Sequence, residues 1–340
     1  MDSPGLRVVV GIDNGGTKNN ATLLDTSGNF LVDRMHEVPS RVTEGPDAAL
    51  GAMAEAMDVV LRHAGIGREQ VLAVGLDTPG PASAEGVIST RGATNFAQPA
   101  WWGYDVRGAL EARIGLPVVY NNDGNAAALY AHRMHFGAHA SERSSISAVV
   151  GTGLGGGVIE AGEVVRGESG QAGELGHIRI AMDAILADDQ PMPVCACGLR
   201  GDVESVASLT GIARNLLPYW LTKYPDHPLA GMPLTDAAKA VRAHGEAGDE
   251  MALRLFEQQA RALGALFTIG ANFSDPSAYF VGGGVVEAAP HFRDWFLERV
   301  RLHTILRDEQ AAVAEFALVP DLDMAGARGS AFAALASLAG

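Results

Sequence analysis

The sequence predicts a two-lobed α/β protein, and three observations carry that expectation. A buried-strand pattern, a Gly/Thr-rich hairpin and a returning strand occur twice, half a chain apart. Between and after the two copies, strand-like and helix-like apolar spacings alternate. The chain of 340 residues is long enough for two hydrophobic cores.

The first copy is Arg7-Val8-Val9-Val10-Gly11-Ile12-Asp13, the turn Asn14-Gly15-Gly16-Thr17-Lys18, and the return Asn20 to Asp25. Apolar residues at Ala49, Met53, Met57, Val60 and Leu61 predict a helix over 46–63. A strand follows over 70–76, ending in Thr78-Pro79-Gly80-Pro81. Next come a helix over 106–114, a strand over 117–120 and an alanine-rich helix over 125–136. The second copy runs from Ser145 to Val150, through Gly151-Thr152-Gly153-Leu154-Gly155-Gly156-Gly157, and back along Val158-Ile159-Glu160. Helices are expected over 202–217 and 251–273, with a polar, acidic and flexible insertion over 181–193. A strand over 278–281 runs into Gly282-Gly283-Gly284, and helices over 287–302 and 326–338 close the pattern. One lobe is expected over 1–120 plus 327–340, the other over 121–326.

Composition removes several function classes. At 47% apolar, the chain is no disordered segment, and 42 glycines without a Gly-X-Y period exclude collagen. A net charge of −15 opposes sequence-independent nucleic-acid binding, which needs Lys and Arg against phosphate. No apolar run approaches a membrane span. Both cysteines sit in one C-x-C, and no signal-peptide pattern precedes the first strand. A cytoplasmic location is therefore expected.

The glycine loops point to phosphate. Gly151-x-Gly153-x-x-Gly156 nominally fits a dinucleotide fingerprint, yet a strand follows it where that fingerprint needs a helix. A Walker A string is absent. What remains is a pair of hairpins whose backbone N–H groups and threonine hydroxyls can meet phosphate oxygens. Asp13, at the end of a buried strand, either holds Mg²⁺ against those phosphates or caps the turn. Lys18 is given no role. Asp123 follows a buried strand and opens a helix, so its oxygens can take a proton from a substrate hydroxyl, or it caps that helix together with Asn125. Asn122 can hydrogen-bond a sugar hydroxyl. Glu174 and His177 supply the paired acceptor and donor that a polyol needs. Glu204 reads equally as a favourable charge at a helix start.

Taken in order, the motifs resemble the ROK family of sugar kinases and repressors. They are Gly11-Ile12-Asp13-Asn14-Gly15-Gly16-Thr17-Lys18, Pro79-Gly80-Pro81, Asn122-Asp123-Gly124-Asn125 and Val150-Gly151-Thr152-Gly153. Gly173-Glu174-Leu175-Gly176-His177, Cys195-Ala196-Cys197-Gly198 and Val281-Gly282-Gly283-Gly284 complete the series. The resemblance implies the two-lobed actin-like ATPase (ribonuclease H-like) fold, with sugar and ATP meeting in the interlobe cleft. It implies Asp123 as catalytic base, and Asn95, Asn122, Asp123, Glu174, His177 and Glu204 as sugar ligands. ATP falls to Gly15, Gly16, Thr17, Thr152, Gly153, Gly283 and Gly284, with Asp13 for Mg²⁺.

Two departures stand out. The family's zinc site joins a histidine to three cysteines, whereas here Asp202 takes the third cysteine's place beside His177, Cys195 and Cys197. That set still offers N, S, S and O to Zn²⁺, the alternative being a metal-free turn with two thiols. Asp77 is charged where the family mostly has an uncharged residue. It reads another substrate hydroxyl or amine, or caps the turn.

The expected activity is phosphorylation of the primary, 6-type hydroxyl of a hexose such as glucose by ATP and Mg²⁺, in a homodimer or homotetramer. An aminosugar or C7-cyclitol kinase is the alternative. A sugar-responsive repressor, which needs a DNA-binding segment ahead of the first strand, ranks lower, as does a non-catalytic sugar-binding protein.

Overall fold

The computed structural model describes residues 6–90 and 95–338. Among these residues ten strands form: β1 (Val8–Asn14), β2 (Lys18–Asp25), β3 (Val38–Pro39), β4 (Val71–Thr78), β5 (Val118–Asn122), β6 (Ser145–Val150), β7 (Leu154–Glu160), β8 (Glu163–Val164), β9 (Ala278–Gly283) and β10 (Glu315–Leu318). The helices are α1 (Pro46–Ala64), α2 (Val106–Ile114), α3 (Asp123–Phe136), α4 (Glu204–Ala207), α5 (Leu209–Gly211), α6 (Leu217–Lys223), α7 (Leu234–Glu246), α8 (Glu250–Ser274), α9 (Pro290–His303), α10 (Asp308–Ala311) and α11 (Leu322–Ala336).

The chain divides into two compact units. The first holds 1–137, 163–173 and 320–340; the second holds 138–162 and 174–319. Strands in the first run β3-β2-β1-β4-β5, with β1 antiparallel to β2 and parallel to β4, which is parallel to β5. In the second unit, β6 is likewise antiparallel to β7 and parallel to β9, which is parallel to β10. The repeat read from the two glycine hairpins is thus a repeat of sheet topology.

The first unit's extent differs from the lobe expected over 1–120 and 327–340. Helix α3 belongs to it because α3 packs directly on α11. A Cβ on Gly329 would stand 1.8 Å from the Ala126 carbonyl oxygen, so the two backbones touch. The same small-residue logic seats α11 on the sheet. Cβ atoms on Gly11 and Gly75 would lie 1.9 and 1.8 Å from the carbonyl oxygens of Ala327 and Ser330.

Two local expectations are corrected. The helix over 202–217 is broken into α4, α5, a π-helical turn over Ile212–Leu216 and α6, because Ser208 is extended (φ −84°, ψ 162°). Ser208 instead caps α5, accepting the Gly211 N–H. The 181–193 segment is anchored rather than loose. Met182 and Ile185 are buried, and Gln258 Nε2 donates to the Ile185 carbonyl at 3.1 Å and to Gln190 Oε1 at 2.6 Å.

The second core is clasped by Glu257 on α8. Arg299 of α9 donates to both of its oxygens at 2.7 Å, and His303 Nε2 lies 2.7 Å away. Burial alone would raise this carboxyl, but the bonds from Arg299, His303 and Arg261 outweigh it and hold it at about 2. A depressed carboxyl gives its full stabilisation above about 4.5 and loses it as pH falls towards 2. Discounted for solvent screening of this partly exposed cluster, Glu257→Gln is expected to cost on the order of 2 kcal/mol at neutral pH. It should also flatten the stability profile between those pH values, which chemical denaturation at stepped pH will read.

Candidate active site

In the first unit β5 passes into α3 without a loop. Asn122 caps the helix, its Oδ1 accepting the Gly124 N–H at 2.9 Å, and Asp123 Oδ1 accepts the same group at 2.7 Å. Asp123 is exposed at the first turn, where the helix dipole favours an anion. Asn122 is half-buried.

Asp13 and Asp77 are register partners on β1 and β4, so their carboxylates lie side by side. Burial, reinforced by the Asp13 charge, holds the Asp77 carboxyl well above the usual range. Burial also raises Asp13, against the opposing effect of hydrogen bonds with Asp77 and Asn20. The first hairpin closes through Gly15 N–H to the Lys18 carbonyl at 2.9 Å. A Cβ on Gly16 would stand 2.6 Å from Asn95 Oδ1, so Asn95 rests on the hairpin where a side chain would exclude it. Thr17 is exposed at the tip, and Lys18 is paired with Glu37.

In the second unit the hairpin tip is tied down by its carbonyls. Leu209 N–H donates to the Gly151 oxygen at 3.0 Å, and Thr210 donates to the Thr152 oxygen through N–H at 3.1 Å and Oγ1 at 2.7 Å. The N–H groups of Thr152 and Gly153 donate to nothing among the described residues, an arrangement suited to an anion. Gly283 has φ +99°, and its Cβ would fall 1.8 Å from the Val150 carbonyl oxygen; only glycine lets β9 turn there. Arg242 of α7 donates to the Gly284 carbonyl and pairs with Glu287 at 3.1 Å. A cavity of about 290 Å³ opens beside these loops, lined by Thr152, Leu209, Ile212, Phe256, Phe296 and Val285 among others, with Lys239, Arg242 and Gln259 as polar members.

The same unit gathers His177, Cys195, Cys197 and Asp202, whose ligand atoms all lie within 4.8 Å of one another. His177 Nδ1 is 3.3 Å from Asp202 Oδ2, 3.9 Å from Cys195 Sγ and 3.7 Å from Cys197 Sγ, and the two sulfurs are 3.2 Å apart. Asp202 is fully buried. Glu204 is no bare helix-start charge. Its Oε2 accepts the Leu154 N–H at 2.9 Å, and the Cys195 thiol donates to its Oε1 at 3.1 Å. Desolvation raises the Glu174 carboxyl; His177 opposes the rise and Glu204 adds to it.

Sequence reasoning missed the cavity wall. Phe256, Phe296 and Ile212 carry the same apolar spacing as core residues, and Arg242 reads as an ordinary solvated face of α7. It also missed Asn121, beside Asp77 on β5, because register between distant strands leaves no local signal.

The ROK family model matches residues 9–337. The chain belongs to the ROK family. Among its ROK relatives, the glucokinase of Streptomyces coelicolor is 34% identical over 289 residues, 82% of each chain. The ROK hexokinase of Thermus thermophilus superposes with a TM-score of 0.75 at 32% identity, covering 98% of this chain and 99% of that one. A ROK glucokinase of Streptomyces griseus, solved with glucose and AMPPNP, gives 0.70 at 28% identity over 96% and 99% of the two chains. The fold is that of the ROK kinases, the actin-like ATPase fold, and the chain is an ATP-dependent sugar kinase. Among the described residues no helix is long and apolar enough to cross a membrane.

Proposed function

We propose that this kinase phosphorylates the primary, 6-type hydroxyl of a hexose, with glucose first among its substrates and Asp123 as the base. The observation that carries the reading is the exposed Asp123 carboxylate, fixed at the start of α3 beyond the carboxyl end of parallel β5. Asp123 takes the proton of the sugar hydroxyl as that oxygen bonds to the γ-phosphorus. The bond from γ-phosphorus to the bridging oxygen breaks and ADP leaves. Asn95, Asn122, Glu174, His177 and Glu204 orient the sugar. Gly15, Gly16 and Thr17, and in the second unit Thr152 and Gly153, present N–H and hydroxyl donors to the phosphates. Gly284 borders the cavity that takes the adenosine, and Gly283 precedes it at the end of β9. The divalent cation supplies neutralisation of charge on the phosphate oxygens, and Asp13 is the residue to hold it.

Zn²⁺ fits the His177, Cys195, Cys197 and Asp202 set, whose N, S, S and O donors are compact enough for one tetrahedral ion. One equivalent of zinc per chain is expected by elemental analysis, falling at least tenfold in Cys197→Ser. A cytoplasmic homodimer or homotetramer completes the reading.

The test is ATP-dependent ADP release across glucose, mannose, N-acetyl sugars, kanosamine and a valiolone-type cyclitol, with the phosphorylated position read by NMR. Glucose is expected to show the highest kcat/KM. Asp202, standing where the family has cysteine, favours the second reading. If kanosamine or the cyclitol exceeds glucose tenfold, the enzyme is an aminosugar or cyclitol kinase.

A further inference from the structure

One face of the first sheet ends in a row of oxygen-bearing side chains. Asn20, Asp13, Asp77 and Asn121 are register neighbours across β2, β1, β4 and β5. Register neighbours project to the same face. The helix α11 covers this face, for Ser330 Oγ donates to Asp77 Oδ2 at 2.8 Å and a Cβ on Gly326 would lie 3.0 Å from Asp13 Cγ.

The inner half of the row is buried, and most of its polar atoms are unsatisfied. Asp77 is 0% and Asn121 3% exposed. Asn20 Oδ1, Asp77 Oδ1, and both Oδ1 and Nδ2 of Asn121 are buried without a hydrogen-bond partner. A buried polar atom left without a partner is destabilising unless something binds it. A turn cap does not explain Asp77: among the described residues its hydrogen bonds are with Ser330 on α11 and Asp13 on β1, not with an N–H of the Pro79-Gly80-Pro81 turn. Two carboxylates and two amide oxygens side by side are the hard oxygen donors that a divalent cation takes, and Asp13, only partly buried, is the open side of the row.

We propose that Asp77 is a second carboxylate, beside Asp13, for the divalent cation that accompanies the nucleotide, with the Asn121 amide oxygen as the adjoining neutral donor. The proposal rests on the reading of Asp13 as the Mg²⁺ residue. It adds that the cation site is built into the sheet before any sugar arrives.

The test is Mn²⁺ titration of the zinc-loaded protein with ADP and without sugar, free Mn²⁺ being read by electron paramagnetic resonance. Wild type is expected to bind one saturable Mn²⁺ that Mg²⁺ displaces. Asp77→Asn should weaken it at least tenfold, as should Asp13→Asn, with the circular dichroism spectrum unchanged. Should Asp77→Asn fail to fold, Asn121→Asp provides the second arm, since a third carboxylate in the row should tighten Mn²⁺. Wild-type affinity in Asp77→Asn, no change in Asn121→Asp, or no saturable site in wild type overturns the proposal. Because no turnover is read, intact Mn²⁺ binding in a chain that phosphorylates no sugar sinks the kinase reading alone.

Discussion

Asp123→Asn is expected to lower kcat by about 10³-fold while KM for sugar and ATP changes less than threefold. The asparagine keeps an oxygen for the Gly124 N–H, so the first turn of α3 stays capped by the bonds that Asn122 and residue 123 now make. What it loses is the ability to take a proton. Removing a group that acts in the transition state lowers kcat and kcat/KM together, which separates a base from a mere sugar ligand. Steady-state ADP release, with nucleotide binding by calorimetry as a control, measures both. Undiminished kcat in this variant would show that the base is elsewhere.

Gly75→Ala is expected to be, with Gly11→Ala and Gly329→Ala, among the most damaging single-methyl changes in the first unit. The added carbon would lie 1.8 Å from the Ser330 carbonyl oxygen and 2.4 Å from its carbon, both backbone atoms of α11. No side chain can rotate away, so either α11 lifts from β4 or the sheet distorts. Overpacking of this kind costs about 3 kcal/mol or more. Thermal unfolding of the first unit should fall by roughly 6–12 °C. Gly231→Ala, where a Cβ meets nothing within 4 Å, is the matched control and should leave the midpoint unchanged. A Gly75→Ala protein as stable as wild type would mean that α11 does not rest on β4 through backbone contact.

How far these features could be read from the chain depended on their range. Both hairpins, the α2 boundaries and the place of Asp123 at the start of α3 were legible because strand, turn and cap signals are local. The His177, Cys195, Cys197 and Asp202 set was legible as a motif, although the bonds of Glu204 to Leu154 and Cys195 were not. Asp77 drew notice only as an odd charge; its meaning came from three strands aligning it between Asp13 and Asn121. The 181–193 segment misled because its acidic composition outweighs the two apolar anchors, Met182 and Ile185, and the paired glutamines that fix it. The membership of α3 in the first unit was not legible for a related reason. Nothing near Ala126 reports that Gly329 lies against it.

The seat of α11 on β1, β4 and α3 also sets the order in which the polypeptide can mature. Residues 174–319 are made before α11, so the second core can consolidate during synthesis while β1, β4 and α3 still lack the helix that covers them. Until Leu322–Ala336 arrives, the glycine-bearing face of that sheet lacks the helix that covers it and stands open to water.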